Sequence, residues 1–114
     1  MKIIDYEKLL SNLEIDKKKY NDSKPFKYII LDNFLNIDFA EGILDEFPVI
    51  NEEWKDARGH NTQNKWALPI IQDKIASEFM IEAKSEEFLN YLAKITLIPN
   101  LIFDSGLSGA GYHQ

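Results

Sequence analysis

The stretch that most constrains this chain is "FKYIILD", residues 26–32, whose centre consists of aromatic and β-branched side chains. A short run that is apolar on both faces is typical of a strand that other elements cover on both sides. The sequence therefore predicts a strand over residues 26–32, with the rest of the domain packed around it.

The residues before this stretch have a different period. Apolar residues recur at helical spacing over residues 3–13, which predicts an amphipathic helix. The following "KKKYNDSKP", residues 17–25, contains turn formers and predicts a turn. Residues 1–24 are thus an N-terminal helix and turn.

The residues after the strand also predict helices. The spacing over residues 36–47 predicts one that Asn36 or Asp38 caps. Gly42 weakens it by about 1 kcal/mol relative to alanine, and a close contact with a neighbouring backbone would justify the glycine.

Two further helices are predicted over residues 69–96, with Ser85 as the cap of the second. Residues 100–103, "NLIF", are typical of a second short strand. The fold class expected from these elements is α+β, with helices packed on a partial β-sheet.

Composition limits what such a chain does. A length of 114 residues suits one domain, residues 1–114, and 45% hydrophobic residues suit a folded protein. The net charge of −6 disfavours nucleic acid as a partner, because phosphate binding requires basic surface. No apolar run approaches the roughly 20 residues of a membrane span. With no export signal and no cysteine, a cytoplasmic protein is expected, and a thiolate zinc site is excluded.

The residues that could carry chemistry are few. His60 and His113 are the two histidines, and a three-ligand metal site would need both together with a carboxylate. Ser105 and Ser108 have no partner histidine at a recognisable spacing. His60 lies in a polar stretch with Asn64 and Lys65, to which no mechanism is assigned. From residue types alone, the chain is a small acidic α+β domain.

The order of motifs adds a resemblance. "PFKYIILDNFL", a helix ending in Phe-Pro, and "SEEFLNYLAKITLIPNLIFDSGLSGAGYHQ" resemble the N-terminal portion of iron(II)/2-oxoglutarate-dependent dioxygenases of the prolyl-hydroxylase-like kind. The similarity spans residues 25–114. Leu97 departs from the family, in which a glycine is usual after the Ile-Thr pair.

The resemblance implies a fold and a cosubstrate. The fold is the N-terminal part of a double-stranded β-helix, or jelly roll. The reaction couples hydroxylation to oxidative decarboxylation of 2-oxoglutarate at Fe(II). Tyr112 and His113 would lie near the mouth of the cosubstrate or substrate site, although Tyr112 is equally well explained as a packed aromatic residue at the start of a strand.

The iron ligands of that family, a His-x-Asp pair and a distal histidine, are absent from the 114 residues. The chain is therefore expected to be inactive alone and to form a homo-oligomer or to bind a polypeptide that supplies the missing strands. Two alternatives remain open: a non-catalytic protein-binding module and an unrelated small α+β protein.

Overall fold

A computed structural model describes residues 2–48, 55–56, 66–68, 75–104 and 112–113. These residues form, in chain order, α1 (Tyr6–Ser11), α2 (Leu13–Asp22), α3 (Ile37–Asp45), β1 (Lys55–Asp56), β2 (Trp66–Leu68), α4 (Ile75–Ala83), α5 (Glu86–Thr96) and β3 (Tyr112–His113). No helix within these ranges is long and apolar enough to cross a membrane.

The N-terminal region contains two helices instead of the predicted helix and turn. Ile4 forms an antiparallel bridge with Leu35 and Asp5 caps the helix, so α1 begins only at Tyr6. The lysines at 17–19, which were predicted to lie in a turn, belong to α2. Lysine is a good helix former, and Lys18 forms an ion pair with Asp22 one turn later.

The core lies where these helices meet the last long helix. Its buried side chains come from the N-terminal segment, α1 and α5: Ile4, Tyr6, Leu9, Tyr91 and Ile95. The Asn21 side chain of α2 donates a hydrogen bond to the Ile95 carbonyl oxygen at 3.2 Å. This bond connects α2 to α5 through two residues that are 74 positions apart in sequence.

The third and fourth helices pack against each other. The predicted cap of α3 is confirmed, since the Asn36 side chain accepts hydrogen bonds from the backbone amides of Asp38 and Phe39. A Cβ atom at Gly42 would lie 3.0 Å from Ile75 Cδ1 of α4, so the neighbour that approaches this glycine is a side chain. The expectation of a close backbone was wrong in that detail.

The fifth helix has both of its ends defined. Ser85 accepts a hydrogen bond from the Phe88 amide at 3.2 Å, which confirms the predicted cap. At the other end Leu97 adopts a left-handed conformation with φ of 61° and donates its amide to the Ala93 carbonyl oxygen. This conformation is the one that glycine supplies at low cost.

The predicted fold class is wrong. The described residues are essentially all-α, and the strands have only two, three and two residues, paired antiparallel in the order β1-β2-β3. So small a ladder is not a jelly-roll sheet or the beginning of one, and the double-stranded β-helix expectation is overturned with it.

Both predicted strands are corrected for the same reason. Residues 27–31 form no strand, since they make no backbone–backbone hydrogen bond within the part of the chain that the structure describes. Residues 101–103 likewise form no strand there: Asn100 before them has φ of 59°, and Ile102 is 87% exposed. Strand propensity places a segment in the extended region, but pairing requires a neighbour.

Candidate functional site

The most distinctive surface of the molecule is segment 27–31, here called the open edge, which belongs to no helix or strand. Among the residues described, the one hydrogen bond that its backbone makes is from the Tyr28 amide to the Ser23 side chain at 3.0 Å. A row of unpaired amides and carbonyls is a template for another strand.

The side chains of the open edge alternate. Ile29 and Leu31 pack against the core, whereas Tyr28 is 47% and Ile30 71% exposed. Phe26, just before the edge, is 69% exposed, and its ring meets that of Tyr28 edge-on with 6.0 Å between centroids. The outer face of the edge is therefore apolar, and its inner face is held by the core.

Both ends of the open edge are fixed. At the start, the Ser23 hydroxyl donates to the Phe26 carbonyl oxygen at 3.1 Å. Beyond the end, the amide of Asp5 donates to the Phe34 carbonyl oxygen at 2.8 Å. A segment fixed at both ends loses less conformational entropy when a partner segment binds, which favours binding.

Charge is distributed unevenly along the open edge. Lys24 and Lys27 lie at its N-terminal end, and Asp32 follows its C-terminal end. The Lys27 ammonium donates to the Asn21 carbonyl oxygen at 2.9 Å, which holds it at that end. A segment that binds along the open edge therefore has one end near the lysines and the other end near Asp32, and its direction determines which end lies where.

A second feature is a shallow cleft of about 280 Å³ at the N-terminal segment. It is lined by Lys2, Ile3, Ile4, Tyr6, Glu82 and Glu87. The Tyr6 hydroxyl donates to the Glu82 carboxylate at 2.7 Å and lies 3.4 Å from the Ser85 hydroxyl oxygen. Burial, opposed by the contact with Ser85 and reinforced by Glu82, raises the pKa of Tyr6 to about 12. The phenol therefore stays protonated at neutral pH and acts as a hydrogen-bond donor, not as a base.

Sequence patterns gave no signal for this cleft, since its two walls are 76 residues apart at the Tyr6–Glu82 bond. The open edge was easier to anticipate, because an apolar strand without its neighbours exposes an edge wherever it occurs.

The predicted site residues are placed only in part. Tyr112 and His113 form β3, in which His113 pairs with Ala67 and Tyr112 with Leu68 of β2. Their side chains, and the whole of His60, Asn64 and Lys65, lie outside the described residues. Within the described ranges, no group of three histidine, cysteine, aspartate or glutamate side chains is arranged to hold a metal ion.

The residues that the structure describes thus do not fit an iron centre, and no chemical step is assigned to them. Comparison of the chain with protein-family models, with curated proteins and with solved structures found no match.

Proposed function

We propose that this chain is the supporting, non-catalytic part of an iron(II)/2-oxoglutarate-dependent oxygenase, and that the polypeptide segment carrying the iron ligands binds along the open edge. The segment belongs either to the same chain beyond these 114 residues or to a separate one. The assembled enzyme would couple hydroxylation of a substrate to conversion of 2-oxoglutarate and dioxygen into succinate and carbon dioxide.

The observation that supports the proposal best is the open edge itself. It combines a backbone without backbone–backbone hydrogen bonds among the described residues, an apolar outer face with Ile30 71% exposed, and anchors at both ends. Strand addition uses these features together: main-chain hydrogen bonds supply affinity, and alternate side chains supply specificity. The order of motifs over residues 25–114 supplies the second part of the argument, that the incoming segment belongs to an oxygenase.

A non-catalytic protein-binding module is the second candidate, and the same edge favours it. Such a module would use the open edge for affinity, with the apolar residues around it, and would release no succinate in any complex. The two candidates therefore differ in the chemistry of the complex and agree on where the complex forms.

The experiment begins with the species that contains this sequence in its native source, isolated through a tag on the chain. Its intact mass is compared with the calculated 13.3 kDa, and the preparation is supplied with Fe(II), 2-oxoglutarate and dioxygen. We expect a heavier species or a stoichiometric complex whose succinate release requires both Fe(II) and 2-oxoglutarate. A complex of fixed composition that releases no succinate would overturn the oxygenase proposal and leave the binding module.

A matched pair of variants connects the activity to the open edge. Ile30→Lys places a charge on the outer face of the edge, and Ile81→Lys places one on α4, where Ile81 is 62% exposed. We expect Ile30→Lys to abolish assembly and succinate release together, since a lysine on an edge blocks strand addition. Ile81→Lys should leave both unchanged. Equal effects of the two substitutions would contradict the assignment of the edge.

A further inference from the structure

A group of three exposed lysines, here called the lysine cluster, lies at the start of the open edge: Lys18, Lys24 and Lys27. The Lys18 ammonium forms an ion pair with the Asp22 carboxylate one turn later in α2. This bond holds the pKa of Asp22 below its usual value, and the positive charges of Lys27 and Lys24 act in the same direction. One carboxylate thus lies among three ammonium groups, so two positive charges of the cluster are left uncompensated by it.

Exposed apolar side chains adjoin the lysine cluster. The hydroxyl oxygen of Ser23, the residue after Asp22, lies 3.1 Å from the Phe26 carbonyl oxygen and accepts a hydrogen bond from the Tyr28 amide at 3.0 Å. These contacts hold Phe26 and Tyr28 beside the cluster, with their ring centroids 6.0 Å apart and both rings exposed. A partner that covers the two rings therefore has part of its surface next to the lysines.

We infer that the segment that binds along the open edge is an acidic polypeptide, with carboxylates beside the lysine cluster and apolar side chains against Phe26 and Tyr28. The inference rests on the proposed function for the role of the edge, and it adds the chemistry by which the binding segment is recognised. The uncompensated positive charges favour aspartate or glutamate opposite them and disfavour lysine or arginine.

The charge of the whole molecule favours a polypeptide segment over a nucleic acid or an anionic membrane. Each of these presents negative charge over an extended surface, which the net charge of −6 repels. A short acidic segment contacts only the lysine cluster and the apolar residues beside it. Charges more than about 8 Å away are largely screened at physiological ionic strength, so the acidic residues elsewhere weaken this local contact little.

Photo-crosslinking in the native species tests the chemistry of the bound segment. A photoreactive phenylalanine analogue replaces Phe26, whose ring is 69% exposed, and the crosslinked segment is identified by mass spectrometry after proteolysis. We expect a segment in which aspartate and glutamate outnumber lysine and arginine, whether it comes from the same chain or from another. A neutral or basic segment, a crosslink only to nucleic acid or lipid, or no crosslink at all would overturn the inference.

Charge reversal tests the role of the lysine cluster. The probe is a synthetic peptide of the crosslinked sequence, and its binding to the 114-residue chain is measured by fluorescence anisotropy. Lys24→Glu should raise the dissociation constant roughly fivefold, because an attractive surface contact becomes repulsive.

Lys84→Glu is the matched control, since it changes the net charge by the same amount. Asn21 bonds to Ile95 near the C-terminal end of α5, whereas Lys84 precedes the N-terminal end, about 16 Å away along the helix. Lys84→Glu should raise the dissociation constant less than about twofold, with circular dichroism showing that both variants fold. Equal weakening by the two variants would show that net charge alone acts and would overturn the inference.

Succinate release separates this inference from the proposed function. An acidic segment at the lysine cluster, in a complex that releases no succinate, would support the inference and contradict the oxygenase proposal. A neutral or basic segment, in a complex that releases succinate, would do the reverse.

Discussion

Two segments of the molecule contact the same core and are built in opposite ways. Helix α5 satisfies its backbone internally, is capped by Ser85, and buries Tyr91 and Ile95 at 2% and 1% exposure. The open edge has Ile29 and Leu31 against that core, but its backbone makes no backbone–backbone hydrogen bond among the described residues, and its outer face is apolar. A helix forms its backbone hydrogen bonds within its own segment, whereas a strand forms them with a neighbouring strand. Stability should therefore depend on α5, and association should depend on the edge.

The largest test of this difference compares two isoleucines. Ile95→Ala removes a side chain that is 1% exposed from the centre of the core. We expect a loss of about 2 to 5 kcal/mol in the free energy of unfolding, from lost burial and the cavity left behind. Urea denaturation followed by circular dichroism measures it.

The matched control is Ile30→Ala on the open edge, where the side chain is 71% exposed. Its effect on the unfolding of the monomer should stay within about 0.5 kcal/mol, as for other surface substitutions. A loss comparable with that of Ile95→Ala would mean that the outer face of the edge is packed in solution, which would contradict its description as open.

A second, smaller test compares two buried tyrosines. Tyr6 donates to Glu82 at 2.7 Å, whereas the Tyr91 hydroxyl has no hydrogen-bond partner within the part of the chain described. Tyr6→Phe should cost about 1 to 2 kcal/mol, because it removes a bond to a carboxylate. Tyr91→Phe should be neutral or stabilising, since it removes a buried polar atom that lacks a partner. Thermal melts of the two variants give the order, and a larger loss for Tyr91→Phe would contradict it.

The same two tyrosines predict how stability depends on pH. Burial is the main cause that raises the pKa of each from 10.0 to about 12. The folded chain thus holds both protons more tightly than the unfolded chain does. Their contribution is complete below pH 10 and is lost as the pH rises towards about 12.

For the unmodified chain, the urea midpoint should be lower at about pH 11 than at neutral pH. The double variant Tyr6→Phe/Tyr91→Phe should lose less stability over that interval, with Tyr28→Phe as a control on the exposed edge. An equal fall in the double variant would show that other groups cause the loss.

The helices were readable from the sequence because their signals are local. Asn36 and Ser85 cap the helices that they were predicted to cap, and apolar periodicity located α3 and α5. The strand predicted over residues 26–32 is wrong because "YIIL" expresses only a local preference, and pairing depends on a partner that the pattern does not specify. The turn predicted at residues 17–19 failed because lysines suit a helix whose stability comes from packing against α5. No local sequence pattern predicts the Tyr6–Glu82 contact, because its two residues are 76 positions apart.

The smallest expected effect concerns the end of α5, where the stable region passes into the exposed residues that follow. Leu97 has φ of 61° and is 59% exposed, so it carries backbone strain with little burial to offset it. Leu97→Gly should raise the free energy of unfolding by about 1 kcal/mol, since glycine adopts this conformation without a Cβ penalty. Leu97→Ala keeps the Cβ atom and the strain, so it should bring no gain. If both variants melt alike, the left-handed cap does not limit stability, and the contrast between α5 and the open edge would depend on burial and backbone pairing alone.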